Sequence, residues 1–181
     1  MSAIIALMRE VFNLLARIQR KRNIQLLIIG AWALGAHQFS RFTADVDCMT
    51  AVENEAALDE DLVRAGFECF DEKPAFRRYR HRLDAFMVLD VMRVDAATFG
   101  KMLAAAKEFA FLGIKLRAPS LPHLIALKLH ASRHEHRTQK DLQDVDALLK
   151  ANPGVVSPAE LRQLCDQCGS PEVAARLSRW L

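Results

Sequence analysis

The chain has 181 residues, 51% of them hydrophobic, which is enough for a sizeable core and fits one domain with a helical appendage. A net charge of +3 is too small to argue for nucleic-acid binding by itself. The apolar positions of residues 2–20 are interrupted by Arg9, Glu10 and Arg17, so this segment reads neither as a signal peptide nor as a membrane span. A cytoplasmic protein without a membrane partner is the expectation.

Ile4, Leu7, Met8, Val11, Phe12, Leu15 and Ile18 recur at helical spacing, which predicts an amphipathic first helix capped by Ser2. Its end, Arg17 to Arg22, is a basic run that suits either a solvated helix terminus or a nucleic-acid contact. Four aliphatic residues, Leu26 to Ile29, then predict a buried strand that stops at Gly30. Ala31 to His37 has the composition of a short helix. A glycine at a strand-to-helix turn lets a phosphate approach the backbone. After the polar turn Ser40 to Thr43 come Asp45-Val46-Asp47, two acids at the strand period. They share one strand face, roughly 6–7 Å apart at their Cα atoms. Carboxylates so close repel unless a cation lies between them, and magnesium is the hard ion that suits oxygen ligands.

Glu53 to Ala65 reads as a helix closed by Gly66, followed by a strand or bend at Phe67 to Phe70. Phe76 to Arg82 predicts a strand with Arg78, Arg80 and Arg82 on one face. Such a face would serve either a polyanion or nucleotide phosphates, or else the solubility of an exposed sheet edge. Asp84 to Val94 predicts an apolar strand with Asp90 alone in its middle, and a buried lone carboxylate is costly unless paired or metal-bound. Asp84, at the strand's start, is the less favoured acid. A helix over Asp95 to Ala106, a hairpin around Gly113 and a helix begun by Ser120 follow. Asn152-Pro153-Gly154 then breaks the chain before two closing helices, Ala159 to Cys168 and Glu172 to Leu181. Cys165 and Cys168 form a C-x-x-C pair. No second pair supplies the other two ligands of a zinc site, so both read as core residues.

The order Gly30-Ala31, short helix, Arg41, Thr43, Asp45-Val46-Asp47 resembles the small bacterial nucleotidyltransferases of the DNA polymerase beta superfamily. That branch holds abortive-infection toxins and the lincosamide and aminoglycoside nucleotidyltransferases. Leu89-Asp90-Val91 is similar to its third-acid strand. Leu124-Ile125-Ala126-Leu127-Lys128, Arg133, Lys140-Asp141 and Asp144 are similar to its carboxyl-terminal pattern, so the likeness spans residues 24–150. Ala31 departs from it, since Gly or Ser is usual there, and its methyl is expected to face the phosphate site.

The resemblance implies an α/β (α+β) nucleotidyltransferase fold, a mixed twisted sheet flanked by helices, with residues 1–150 as the domain and 151–181 as a packed appendage. It implies a nucleoside triphosphate substrate and two magnesium ions held by Asp45, Asp47 and Asp90. Gly30 and Ala31 would cradle phosphates, and Arg41 and Lys128 would offset their charge. Thr43 would orient the loop, with Lys140 and Asp141 either ligand contacts or, the favoured reading, an ion pair fixing two helices. The acceptor hydroxyl stays open between an RNA end, a small molecule and a protein. The basic segments favour RNA and a toxin with an antitoxin partner. The alternative is a nucleotide- or partner-binding module of the same fold without catalysis.

Overall fold

The computed structural model describes residues 3–181, so the expected Ser2 cap lies outside the described residues. Contacts divide the chain into two compact units. One holds the described residues up to Ala33 together with Arg41–Pro119; the other holds Leu34–Ser40 and Ser120–Leu181. This packing division does not follow the expected limits 1–150 and 151–181, which stay an expectation about domain organisation.

The first unit is built on a seven-stranded mixed sheet. Helix α1 (Ala3–Arg22) precedes strands β1 (Leu27–Ile28) and β2 (Asp45–Ala51), with the short 3-10 segment Trp32–His37 between them. Helix α2 (Glu55–Arg64) is followed by the meander β3 (Phe67–Lys73), β4 (Phe76–His81) and β5 (Asp84–Val94). Helix α3 (Ala96–Ala104), capped by the Asp95 side chain, leads to the hairpin β6 (Lys107–Phe111) and β7 (Ile114–Ala118). The strand order is β3-β4-β5-β2-β1-β7-β6. Only β2/β5 and β1/β7 are parallel pairs.

The four-residue aliphatic run yields a two-residue strand, because Gly30 at φ +63° turns the chain away from the ladder. One sheet face is apolar. Val46, Cys48, Leu89, Val91 and Tyr79, at alternate positions of β2, β5 and β4, are at most 2% exposed. Met8, Val11, Phe12, Leu15 and Ile18 of α1 are equally buried, as the helical spacing predicts. The arginine-rich β4 is an inner strand, not the edge that its charge suggested; β3 takes the edge.

The second unit is helical: α4 (Leu121–Ala131), α5 (Glu135–Ala151), α6 (Pro158–Cys168) and α7 (Pro171–Arg176), then a 3-10 turn at Ser178–Trp180. Ser157 caps α6, its hydroxyl accepting from the Glu160 amide at 3.2 Å. Cys165 is buried, Cys168 half-buried, and both are free thiols. No helix among the described residues is long and apolar enough to cross a membrane.

Candidate active site

Register assembles the site. In the parallel pair β2/β5, Asp47 stands directly opposite Asp90 and Asp45 opposite Val88. In the antiparallel pair β4/β5, Arg78 faces Asp90 and Arg80 faces Val88. Side chains alternate along a strand, so Asp45, Asp47, Asp90, Arg78 and Arg80 all lie on the face opposite the apolar one. The three aspartates are half-buried there. Sequence spacing predicted this shared face for Asp45 and Asp47. The placing of Asp90 beside Asp47 follows from strand pairing.

Two backbone devices fix the β2 acids. Trp32 donates its indole N–H to the Asp45 carbonyl at 3.1 Å, and the Ile29 amide donates to the Asp47 carbonyl at 2.9 Å. The Asp47 carboxylate rests against Gly30: a Cβ built there would lie 2.0 Å from Asp47 Oδ2. Positive φ and this close approach both require glycine. The Thr43 hydroxyl donates a short hydrogen bond to Asp45 Oδ1.

Arg78 was not singled out for the site. Its Nε donates to Asp90 Oδ1 at 3.0 Å and to Oδ2 at 3.2 Å. That bond raises the arginine's pKa against the opposing effect of burial, and the charges of Asp90, Asp71 and Asp45 add to it. Beneath the acids, burial pushes the Cys48 thiol up, and Asp47 and Asp90 push it further. The sequence signal for Arg78 was its parity with Arg80 and Arg82; what was missing was the β4/β5 register.

No protein-family model matches the chain, and no curated protein does. Solved structures do match. The crystal structure of ANT(2")-Ia in complex with adenylyl-2"-tobramycin aligns with a TM-score of 0.59 at 19% identity, over 99% of this chain and 100% of that one. The chain has the nucleotidyltransferase fold. The lincosamide antibiotic adenylyltransferase LnuA, lincomycin-bound, shares that fold with a TM-score of 0.59 at 14% identity, over 80% of this chain and 97% of that one. A nucleotidyltransferase-like protein from Paracoccidioides brasiliensis aligns with a TM-score of 0.57 at 17% identity, covering 93% and 91% of the two chains.

Within the nucleotidyltransferase fold the remaining expected residues divide. Gly30 adjoins the acids. Ala31 is 6% exposed, so its methyl is taken into the interior, whereas the sequence led us to expect it to face the phosphate site. Arg41 is half-buried, with Nη1 3.5 Å from the Phe42 carbonyl. Lys128 belongs to the second unit, and it departs from the phosphate-reaching role. Its ammonium lies 3.0 Å from Asp141 Oδ1 and 2.7 Å from Asp144 Oδ2, with all three side chains at most 4% exposed. Asp141 also accepts from Arg137 Nε at 3.0 Å. The match to Lys128, Asp141 and Asp144 therefore marks a buried ion cluster, and Lys140 is exposed.

The acids supply hard oxygen ligands in adjacent positions, which suits magnesium. Among the described residues, no group of three or more acids, histidines or cysteines stands arranged to hold an ion. In this arrangement Thr43 engages Asp45, and both oxygens of Asp90 accept from Arg78.

Proposed function

We propose that the protein transfers a nucleoside monophosphate from a nucleoside triphosphate to an acceptor hydroxyl, in a magnesium-dependent reaction. The observation that carries this reading is the placing of Asp45, Asp47 and Asp90 on one open sheet face, with Asp47 and Asp90 in direct register and Gly30 against Asp47. Asp45 and Asp47 would hold the metal, with Asp90 as a further ligand. When bound, magnesium supplies charge neutralisation on the phosphates and lowers the pKa of the acceptor hydroxyl.

The residues of the chain do the rest. Gly30 and Ala31 present backbone to the triphosphate, with the Asp47 carboxylate packed against Gly30. Thr43 keeps Asp45 turned toward the open face. Arg41 offsets negative charge on the phosphates as it develops. Asp90 accepts the acceptor's proton or orients its hydroxyl, and pyrophosphate leaves.

The acceptor is a hydroxyl of an RNA end, a small molecule or a protein. The basic segments argue less for RNA than their composition suggested, because carboxylates pair many of them. Lys21 and Arg22 meet Asp61, Arg77 meets Glu55 and Glu72, and Arg80 meets Glu68. A toxin role with an antitoxin partner, a cytoplasmic location and a 151–181 appendage complete the proposal.

A second reading, a nucleotide-binding module without catalysis, is favoured by the Arg78–Asp90 pair, which occupies the third carboxylate. One experiment separates the two. The protein is incubated with each labelled nucleoside triphosphate, magnesium and total RNA or cell extract. Labelled acceptor and released pyrophosphate are expected. The combined Asp45→Asn and Asp47→Asn variant should stay folded, with equal or higher ion-free stability, and lose a thousandfold or more in rate, about 4 kcal/mol of barrier. Nucleotide binding without turnover over a broad acceptor panel would select the module.

A further inference from the structure

The guanidinium of Arg78 lies among carboxylates that the nucleotidyltransferase reading assigns to a metal. The face reads as two cross-strand rows. One runs Asp47, Asp90, Arg78, Asp71 and the other Asp45, Val88, Arg80, Glu68, over β2, β5, β4 and β3. In the first row Asp47 and Asp90 are like charges on adjacent strands, which destabilises a sheet unless a cation intervenes. Arg78 supplies such a cation, with one N–H shared between the two oxygens of Asp90.

The pair is exposed enough to part. Arg78 is 36% and Asp90 23% exposed in their side chains. Ion pairs so open to solvent contribute little, about 0–1 kcal/mol. A second contact already holds the same guanidinium. At the register shift between Cys69 and Asp71, Phe70 is left without a partner on β4, and its ring is 41% exposed. The guanidinium carbons of Arg78 and Arg80 lie 5.3 and 5.4 Å from the centre of that ring. An arginine over an aromatic face keeps a favourable contact when it gives up a carboxylate.

A carboxylate that shares one arginine N–H between its two oxygens keeps lone pairs on both, but the guanidinium offsets the charge it would offer to a metal. We propose that Arg78 is the built-in counter-ion of Asp90: it helps hold the acidic face together in the ion-free protein and competes with a divalent cation for that carboxylate. This inference rests on the nucleotidyltransferase reading and makes Arg78 a positioning residue, in competition with the ion for one carboxylate.

The test is manganese binding to the full chain without nucleotide, read from the electron paramagnetic resonance signal of free ion. Arg78→Met and Arg78→Gln should each tighten binding about fivefold, the equivalent of about 1 kcal/mol. Arg80→Met controls for charge alone, since it removes one positive charge from the same face without touching Asp90, and its effect should be smaller. In an Asp90→Asn background the Arg78 substitutions should change nothing beyond the charge effect. Binding that is unchanged or weakened in both Arg78 variants, or tightened no more than in Arg80→Met, overturns the proposal. So does an absence of binding in wild type and variants alike. Manganese bound by the wild type but insensitive to Asp45→Asn with Asp47→Asn overturns the nucleotidyltransferase reading and this inference with it. Sensitivity to those two substitutions with no Arg78 effect overturns the inference alone.

Discussion

Each packing unit holds a cluster of aspartates around one cation. In the sheet unit, Arg78 meets Asp90 with Asp45 and Asp47 on the same half-open face. In the helical unit, Lys128 sits between Asp141 and Asp144, and Arg137 supplies a second positive charge to Asp141. Lys128, Asp141 and Asp144 are buried, and only Arg137 reaches solvent. The sheet cluster is partly open to solvent. Residue types alone do not separate a ligand site from a structural ion cluster, but exposure does. Buried pairs resist removal of one member strongly, whereas surface pairs hardly register it.

The largest effect should come from Lys128. Lys128→Met leaves Asp141 and Asp144 buried without their shared cation and should cost about 3–5 kcal/mol, measured by urea unfolding. Arg78→Met should cost no more than about 1 kcal/mol on the same scale. If the two variants lose stability equally, the contrast between the clusters is broken. Gly30→Ala ranks next. It puts a Cβ at φ +63°, 2.0 Å from Asp47 Oδ2, and should cost about 1–3 kcal/mol of stability. It should also weaken manganese binding by moving Asp47, where a remote substitution of equal stability cost would not.

The smallest effect concerns Asp146, the outer acid of the helical unit. Burial pushes its pKa up, but donors from Arg179, Lys150 and Trp180 prevail and hold the carboxyl at about 2, below its ordinary 3.8. The folded pKa is the lower one, so this contribution is complete above about pH 4 and disappears as pH falls through 3.8 toward 2. Arg179 and Lys150 are each 59% exposed, so screening limits the amount to about 1 kcal/mol. Acid titration of the Asp146→Asn variant should show a correspondingly flatter stability profile in that window. An unchanged profile would remove Asp146 from the comparison.

Much of the sheet unit was legible because period and punctuation are local signals. The β5 limits follow from an apolar run between polar turns, and α1 follows from one stripe. The shared face of Asp45 and Asp47 follows from alternation. Pairing between strands is not local. That Arg78 faces Asp90, that Asp90 faces Asp47, and that Phe70 is left over at a bulge are all properties of register. Lys128 misled for a related reason: its spacing to Asp141 and Asp144 suits both a ligand-facing lysine and a buried ion cluster, and only burial decides. Gly30 was chosen for phosphate access, whereas its Cα must also admit the Asp47 carboxylate.

The β4/β5 pair has a consequence for the order of folding. Arg78 and Asp90 are twelve residues apart and meet in an antiparallel hairpin, while Asp47 joins Asp90 only through a parallel pairing of strands much further apart in sequence. Local pairings close their loops at lower entropic cost and form sooner. The hairpin therefore delivers Asp90 already neutralised by Arg78, and β2 docks its two acids beside a compensated carboxylate instead of a bare one. Pulse-labelled hydrogen exchange during refolding should protect β4 and β5 amides before those of β2, and Arg78→Met should slow the later phase more than the earlier one.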